Sequence, residues 1–246
     1  MKKIYCFLLV SVVCASGYGQ FNGFSVTGGI GTFALSDLKT YQDALVSRLP
    51  FEARQFAYFP AYTNLRINLF KESSSGLEYG FVFAFSTTGT HANYTDYSGS
   101  LNLDQRVAAY QGGVSLSYPL LLSGNREKGF GLSAYGDLRL AFVRNNVSSV
   151  INTLYYFESN ELNLSALSPM SELGLQALVH FNKISTGLEG GYLLDFNRKF
   201  STGDQSAFDP SFSLRPSGDI RSGMSGFRIG LKVIFKILPT ISEELN

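Results

Sequence analysis

Residues 224–238 read MSGFRIGLKVIFKIL, and their large apolar residues recur at every second position. A period of two places alternate side chains on opposite faces of a β-strand, whereas a helix would distribute them around its circumference. The apolar face extends over six positions, which is long for a strand of an ordinary soluble protein. These positions are Phe227, Ile229, Leu231, Val233, Phe235 and Ile237. The opposite face mixes small and charged residues, among them Arg228, Gly230 and Lys232.

Seven further stretches show the same alternation, at residues 23–33, 63–71, 76–88, 107–122, 129–144, 171–182 and 184–197. Short turns follow the second, fourth and sixth stretches, and much longer segments follow the first, third, fifth and seventh. This alternation of connections is typical of barrels in the bacterial outer membrane. We therefore predict an all-β fold, an eight-stranded antiparallel transmembrane β-barrel with short periplasmic turns and long extracellular loops.

The first twenty residues predict a secretory signal peptide. Two lysines precede an apolar run that is too short for a membrane helix, and small residues follow it. The only cysteines, Cys6 and Cys14, lie in this segment, so the mature chain has no thiol for a disulfide or a metal. Lipidation of Cys14 is the alternative, which the preceding Val13 disfavours. The predicted domains are a signal peptide at 1–20, a barrel at 21–238 and a periplasmic tail at 239–246.

Charge and hydropathy exclude several classes of protein. Hydrophobic residues make up 45% of the 246 residues and charged residues only 16%, which is low for a soluble surface. Without the two lysines of the signal peptide, 18 basic residues face 19 acidic ones, so no nucleic-acid partner is expected. No stretch after the signal peptide reaches the ~20 apolar residues of a membrane helix. A membrane location would therefore require strands.

The second face of the predicted strands is rich in glycine and serine, and this favours a membrane barrel over a soluble one. A soluble barrel would carry Lys, Glu and Thr on its water-facing side. An eight-stranded barrel has room inside only for its own side chains, so small residues would leave space for long charged ones. The charged residues predicted to face the lumen are Arg66, Glu78, Asp137, Arg139, Glu172, Glu189, Asp195, Arg228 and Lys232.

The two signs of charge are nearly balanced in this predicted lumen. Charges in a narrow interior must be paired or hydrogen-bonded, so a balanced set predicts a plugged lumen. A selective pore would instead be lined by one sign. We expect Glu189 to pair with Lys232 near the middle of the barrel, and Asp195 to pair with Arg228 nearer the outer rim.

The eight in-phase strands, the alternating turns and loops, the segment GYGQF and the strand FRIGLKVIF resemble small outer-membrane barrels of the OmpX and OmpA-barrel kind. They are also similar to the outer-membrane β-barrel domains common in Bacteroidota. The resemblance covers residues 21–238, although in that family the final Phe is usually the last residue and here eleven residues follow Phe235. It implies a location in the outer membrane, outer-membrane lipid as surroundings, and an envelope protein bound through the long loops.

The first long connection contains the most distinctive loop sequence. Residues 36–50 predict a helix with Ser36 as N-cap and Pro50 at its end. A group of aromatic residues follows: Phe51, Phe56, Tyr58, Phe59 and Tyr62. One interpretation is a helix packed on the barrel rim, with the aromatic residues at the membrane interface. The other is a docking surface for a partner or an apolar ligand.

Catalytic and metal-binding motifs are absent from the sequence, so no cofactor is expected. His91 is interpreted as a solvated loop residue and His180 as an interior residue near a periplasmic turn. Asp204 and Asp209 match no calcium loop. We predict a non-enzymatic barrel that acts in envelope structure or surface docking. The alternatives are a lipid-modifying enzyme, in which His180 would act with a serine and an acid, and a narrow pore for small solutes.

Overall fold

The computed structural model describes residues 21–47, 54–56, 59–124, 128–202, 214 and 218–236. The predicted signal peptide and the predicted tail lie outside these residues, so both boundaries stay predictions. The elements are β1 (Gly23–Gly31), α1 (Ser36–Ser47), β2 (Arg54–Phe56), β3 (Tyr62–Glu72), β4 (Glu78–Asp96), β5 (Gly99–Gly124), β6 (Lys128–Thr153), β7 (Phe157–Phe181), β8 (Ile184–Asp195), β9 (Ser201–Thr202) and β10 (Gly226–Lys236).

Eight of these strands form a closed antiparallel ring within the described residues. Around the ring the order is β1, β3, β4, β5, β6, β7, β8 and β10, and β10 pairs with β1 to close it. The short strands β2 and β9 add to the edges of β4 and β7. Gly23, the first residue of β1, and Lys236, the last residue of β10, are register partners. The ring therefore begins and ends at the same rim of the barrel. The predicted eight-stranded antiparallel barrel is confirmed.

The rim that contains Gly23 and Lys236 is the turn end of the barrel. The predicted turn at Asn182 and Lys183 is present there, and Asn182 adopts a positive φ of 56° that asparagine tolerates. The turn between β3 and β4 uses Gly76, with a φ of 85°. The opposite rim is the loop end.

The wall is much higher on one side of the barrel than on the other. Strands β1, β3, β8 and β10 have 9 to 12 residues, whereas β4 has 19 and β5 to β7 have 25 or 26. The long loops predicted at residues 89–106 and 145–170 are therefore wrong, because these residues continue the strands. We call the added part, residues 87–96, 99–108, 144–153 and 157–165, the raised sheet.

An apolar belt surrounds the outside of the barrel below the raised sheet. Its upper edge is a row of register partners, Phe85, Tyr110, Phe142 and Leu167. On β6 the belt starts at Phe130. Twelve residues at about 3.4 Å each, on a strand tilted by about 45°, give the belt a height of about 29 Å.

The two faces of the wall exchange polarity at the top of this belt. On β5, the outward Tyr110 and Val114 of the belt are apolar and the inward Gln111 is polar. Above Ala108 the same strand directs Asn102, Asp104 and Arg106 outward and buries Leu101, Leu103 and Val107. The pairing of β5 with its neighbours shows no register shift in this region. The change is therefore one of residue type and not of strand phase.

Helix α1 packs inside the raised sheet. Leu38, Tyr41, Gln42 and Leu45 of the helix are buried. Its apolar side chains join one core with inward residues of the raised sheet, such as Leu103. The helix was expected on the barrel rim, but here it fills the upper interior. Within the described residues, no helix is long and apolar enough to cross a membrane.

The start of the helix differs from the prediction. The carbonyl of Leu35 accepts the first helical bond, from Lys39 N at 2.8 Å, so the predicted role of Ser36 as N-cap is wrong. Asp37 Oδ2 accepts a bond from Arg221 N at 3.1 Å, which ties the helix to the connection between β8 and β10. The predicted end at Pro50 lies outside the described residues.

Candidate functional site

Charged side chains fill the middle of the barrel, and we call this set the charged tier. Its members come from β3, β6, β7, β8 and β10, and each is at most 6% exposed. They are Arg66, Asp137, Arg139, Glu172, Glu189, Arg228 and Lys232. Strand alternation alone was enough to predict that these side chains face inward. Each one adjoins, in sequence, an apolar residue that is exposed on the outer face of the wall.

Arg66 is the central side chain of the charged tier. Its Nη1 atom lies 3.2 Å from Asp137 Oδ2 and 3.5 Å from Glu172 Oε1. Its Nη2 atom bonds Glu189 Oε2. These three carboxylates belong to three strands, none of which is next to β3. Arg66 therefore connects β3 to three strands on the other side of the lumen.

Two further arginines meet at Glu172. Glu172 Oε2 accepts from Arg139 Nη2 at 2.6 Å and from Arg228 Nη1 at 2.9 Å. Arg139 also bonds Asp137 and donates to Gln111 Oε1 at 2.9 Å. Shared carboxylates of this kind join the tier into one network of ion pairs across the lumen.

Tyr135 lies across the lumen and depends on two glycines. Its hydroxyl donates to Glu172 Oε1 at 2.9 Å, and Arg66 Cζ lies 4.6 Å from the ring centroid. A Cβ atom at Gly174 would stand 2.7 Å from the ring, and one at Gly191 would also collide with it. The small residues of the inward face thus make room for long ones, as the sequence indicated.

The two predicted ion pairs have different outcomes. Lys232 Nζ lies 3.4 Å from Glu189 Oε2, so the expected pair forms. Lys232 also donates to Gln176 Oε1 at 2.6 Å. The pairing of Asp195 with Arg228 is wrong, because Arg228 reaches down to Glu172 and Asp195 faces the connection above it.

Asp195 anchors the connection between β8 and β10. Its Oδ2 atom accepts from Ser222 Oγ at 2.6 Å and from Met224 N at 2.8 Å. Its Oδ1 atom accepts from Ser168 Oγ at 2.5 Å on β7. The carboxylate therefore holds a loop segment against the wall and takes no part in the charged tier.

Glu78 lies at the turn end, below the charged tier. It is half-buried and lines a small polar space together with Lys232 and Ser117. A recess of about 300 Å³ opens at this end and is lined by Glu78, His180 and Lys236. Of the nine predicted lumen residues, Glu78 thus lies below the charged tier and Asp195 lies above it.

The predicted docking residues are only partly described. Tyr62 is 1% exposed, stacks on Phe33 with ring centroids 3.6 Å apart, and accepts a bond from Arg228 Nε. Phe59 is also buried. The interpretation as a docking surface is therefore wrong for these two residues. The side chains of Phe51, Phe56 and Tyr58 lie outside the described residues.

Among the described residues, the two most exposed aromatic side chains lie instead at the top of the raised sheet. Tyr97 and Tyr155 are 96% and 97% exposed, and Leu154 and Phe157 are also largely exposed. The two turns are adjacent, because Gly99 and Thr153 are register partners. We call these four residues the aromatic tip. Its sequence signal was the clustering of aromatic residues at 155–157, directly after Leu154, in a predicted loop.

Asp96 orders the turn of the aromatic tip. Its Oδ1 atom accepts from Ser98 Oγ at 2.6 Å, from Ser98 N at 2.8 Å and from Gly99 N at 3.1 Å, and Oδ2 accepts from Tyr94 Oη at 2.7 Å. These hydrogen bonds, those from Ser98 and Tyr94 foremost, lower the pKa of Asp96 from 3.8 to about 2. The turn therefore carries a fixed negative charge.

The two histidines of the chain occupy different environments. His91 lies on the raised sheet, not in a loop, and its Nδ1 atom is 2.5 Å from Asp104 Oδ1. His180 Nδ1 lies 2.7 Å from the buried Ser185 Oγ, on the inward face near the turn end. Within the described residues, no group of three or more His, Cys, Asp or Glu side chains could hold a metal ion. Asp204 and Asp209 lie outside those residues.

Comparison with known proteins adds little to this description. No protein-family model and no curated protein matches the chain. The crystal structure of the transport unit of the autotransporter AIDA-I from Escherichia coli is similar over 90% of this chain and 92% of that chain, with 8% sequence identity and a TM-score of 0.23. A likeness at this level carries no functional argument.

Proposed function

We propose that this chain is a non-enzymatic, non-conducting barrel of the outer membrane, which presents its raised sheet as a docking surface for another envelope or surface component. The exchange of polarity at the top of the belt carries this proposal. The same strands have an apolar outer face below Ala108 and a polar outer face above it. If water surrounded the whole wall, its outer face would be polar at every height. The change from an apolar to a polar outer face is explained if lipid surrounds the lower part and water the upper part.

The height of the belt supports a membrane location. The hydrocarbon region of a bilayer is about 30 Å thick, and outer-membrane barrels carry an apolar band about 25 Å tall that is flanked by aromatic residues. The belt has this height, and its upper edge carries contacting aromatic pairs such as Phe85 with Tyr110, at 5.1 Å, and Tyr192 with Phe227, at 4.8 Å. An exposed apolar surface of this size in water would cause aggregation.

The interior supports a closed barrel. The charged tier contains both signs and forms ion pairs across the lumen, which leaves no single-sign path for an ion. Above it, α1 fills the raised part of the interior with apolar side chains. Two different barriers therefore lie in series between the loop end and the turn end.

The raised sheet supports a docking role. It extends the wall by about 35 Å along β6 beyond the belt, where no lipid contact is needed. Its top exposes Tyr97, Leu154, Tyr155 and Phe157 to solvent. Large exposed apolar residues that are clustered away from a membrane mark interaction surfaces, and tyrosine is enriched in such interfaces.

Site-specific photocrosslinking in intact cells tests this function. A photoreactive amino acid at Tyr155 is expected to give a discrete adduct with a macromolecule, whereas the same amino acid at Tyr118 in the belt is expected to give lipid adducts alone. Fractionation is expected to place the protein in the outer membrane. A protein in the soluble periplasmic fraction, or identical adducts at both positions, would contradict the proposal.

One observation favours a lipid-modifying enzyme as the second candidate. His180 and Ser185 are in hydrogen-bond contact at 2.7 Å, as a serine nucleophile and its base would be. Ser185 is buried on the inward face, however, and a lipid chain outside the wall does not reach it. Unchanged mass spectra of lipid A in cells with His180→Ala would exclude this candidate, and loss of a lipid product would favour it.

A further inference from the structure

Two arginines stand on the outside of the wall directly above the belt. Arg144 follows the belt residue Phe142 by two positions on β6, and Arg106 lies four positions above Tyr110 on β5. Both side chains are exposed and point to the same side as the belt. They therefore lie at the height at which lipid headgroups would surround a barrel whose belt is embedded in a membrane.

The two arginines are close neighbours on the sheet. Arg144 is the register partner of Ala108, which is two residues from Arg106 on the same face. Diagonal neighbours of this kind have Cβ atoms about 7 Å apart, so their long side chains can converge on one ligand. Ala108 is small and leaves space between them. Thr87, the partner of Ala108 on β4, lies on the other side of this space, and its Oγ1 atom is 3.5 Å from Arg106 Nε.

Neither arginine has an acidic partner within the described residues. The carboxylates nearest along the strands already have other contacts: Asp104 bonds His91 at 2.5 Å, and Glu161 accepts from Asn146 Nδ2 at 2.5 Å. Neighbouring like charges repel one another unless an anion lies between them. An exposed arginine pair that forms no ion pair with a carboxylate of the described residues can therefore receive an anion from outside the chain.

We propose that Arg106, Arg144 and Thr87 bind the phosphate of a lipid headgroup in the outer leaflet. The planar guanidinium group binds phosphate through two parallel hydrogen bonds, and two such groups around a small residue would hold one phosphate. The row of Phe85, Tyr110 and Phe142 lies just below, where the apolar part of the same lipid would pack. This inference rests on the proposed outer-membrane location and adds a specific lipid contact to it.

Lipid binding to the folded barrel in neutral detergent tests the inference, with native mass spectrometry as the readout. The probes are phosphorylated lipid A, the same lipid after removal of its phosphates, and inorganic phosphate. We expect the wild type to prefer the phosphorylated lipid by at least about tenfold at low salt, and Arg106→Gln with Arg144→Gln to reduce this preference to about twofold or less. Inorganic phosphate is expected to compete only at much higher concentrations.

A matched control uses two cations at the opposite end of the barrel. Lys71→Gln with Lys183→Gln removes the same charge from the turn end and should leave the preference unchanged. Equal preference in wild type and the Arg106 and Arg144 variant, or equal competition by lipid and free phosphate, would overturn the inference. A wild type that is absent from the outer membrane would instead overturn the proposed function, so the two failures are distinguishable.

Discussion

Arg66 Nη1 lies 3.2 Å from Asp137 Oδ2, although β4 and β5 separate the strands that carry these residues. The contact therefore crosses the lumen and does not follow the wall. Both side chains are almost completely buried. A charge in this position is tolerated only while its partners are present, because the interior gives it no water.

Arg66→Met is expected to lower the free energy of unfolding by about 3–5 kcal/mol, since it leaves three buried carboxylates short of one cation. Methionine keeps much of the side-chain volume, so the loss reports on charge more than on packing. Urea unfolding of the barrel in lipid vesicles measures it. Arg221→Met, at an exposed position, serves as control and should change the value by no more than about 0.5 kcal/mol. Equal effects of the two variants would contradict the bracing role of Arg66.

Lys232 and Glu189 are expected to be coupled. Lys232→Met alone removes a cation from a network that holds Glu189, whereas Lys232→Met with Glu189→Gln removes both members of the pair. We expect the double variant to be more stable than the sum of the two single variants indicates, by about 0.5–3 kcal/mol. The coupling energy is limited, because each residue retains another partner when the pair is broken. Glu189 retains its ion pair with Arg66, and Lys232 retains its hydrogen bond to Gln176. Simple additivity would show that the pair has no energetic role.

The turn at the aromatic tip is expected to lose order in acid. The pKa of Asp96 is depressed from 3.8 to about 2, so its charged form favours the ordered turn. This contribution is complete above about pH 4 and disappears as the pH falls through about 2. Hydrogen exchange at the amides of Ser98 and Gly99, monitored by NMR, should accelerate over this range relative to its intrinsic pH dependence. In Asp96→Asn the excess acceleration should be absent, and its persistence would assign the effect to another group.

Removal of α1 is not expected to open the barrel. A variant in which a Gly-Ser linker replaces residues 36–47 loses the apolar packing of Leu38 and Leu45 but keeps the charged tier. We expect planar-bilayer recordings to show no steady conductance for this variant. Steady channels would show that the helix alone closes the lumen and that the charged tier permits ion flow.

Strand alternation was sufficient to predict the eight strands of the ring and which residues face inward at the height of the belt. It was not sufficient to predict partners across the lumen, because those depend on the stagger of the whole ring. Asp195 and Arg228 illustrate this: both face inward, yet Arg228 bonds Glu172 below and Asp195 bonds Ser222 above. The residue types alone could not distinguish these contacts from an ion pair between the two.

The raised sheet was missed for a different reason. The prediction followed an outward face that is apolar, and above the belt the apolar residues move to the inward face. Leu101, Leu103 and Val107 alternate as regularly as the belt residues do. These apolar residues face inward, however, where they pack against α1 and have no contact with lipid. A search that allowed the apolar residues to lie on either face of the strand would have found the longer strands.

Cysteine labelling in intact cells tests the central claim most directly. Tyr97→Cys lies at the aromatic tip and Lys183→Cys lies in the turn at the opposite end, while the only natural cysteines, Cys6 and Cys14, lie in the predicted signal peptide. A membrane-impermeant maleimide should label Tyr97→Cys in intact cells and Lys183→Cys only after the outer membrane is permeabilised. The wild type should remain unlabelled. Labelling of both variants in intact cells, or of neither until the cells are permeabilised, would contradict a barrel that spans the outer membrane with its raised sheet outside.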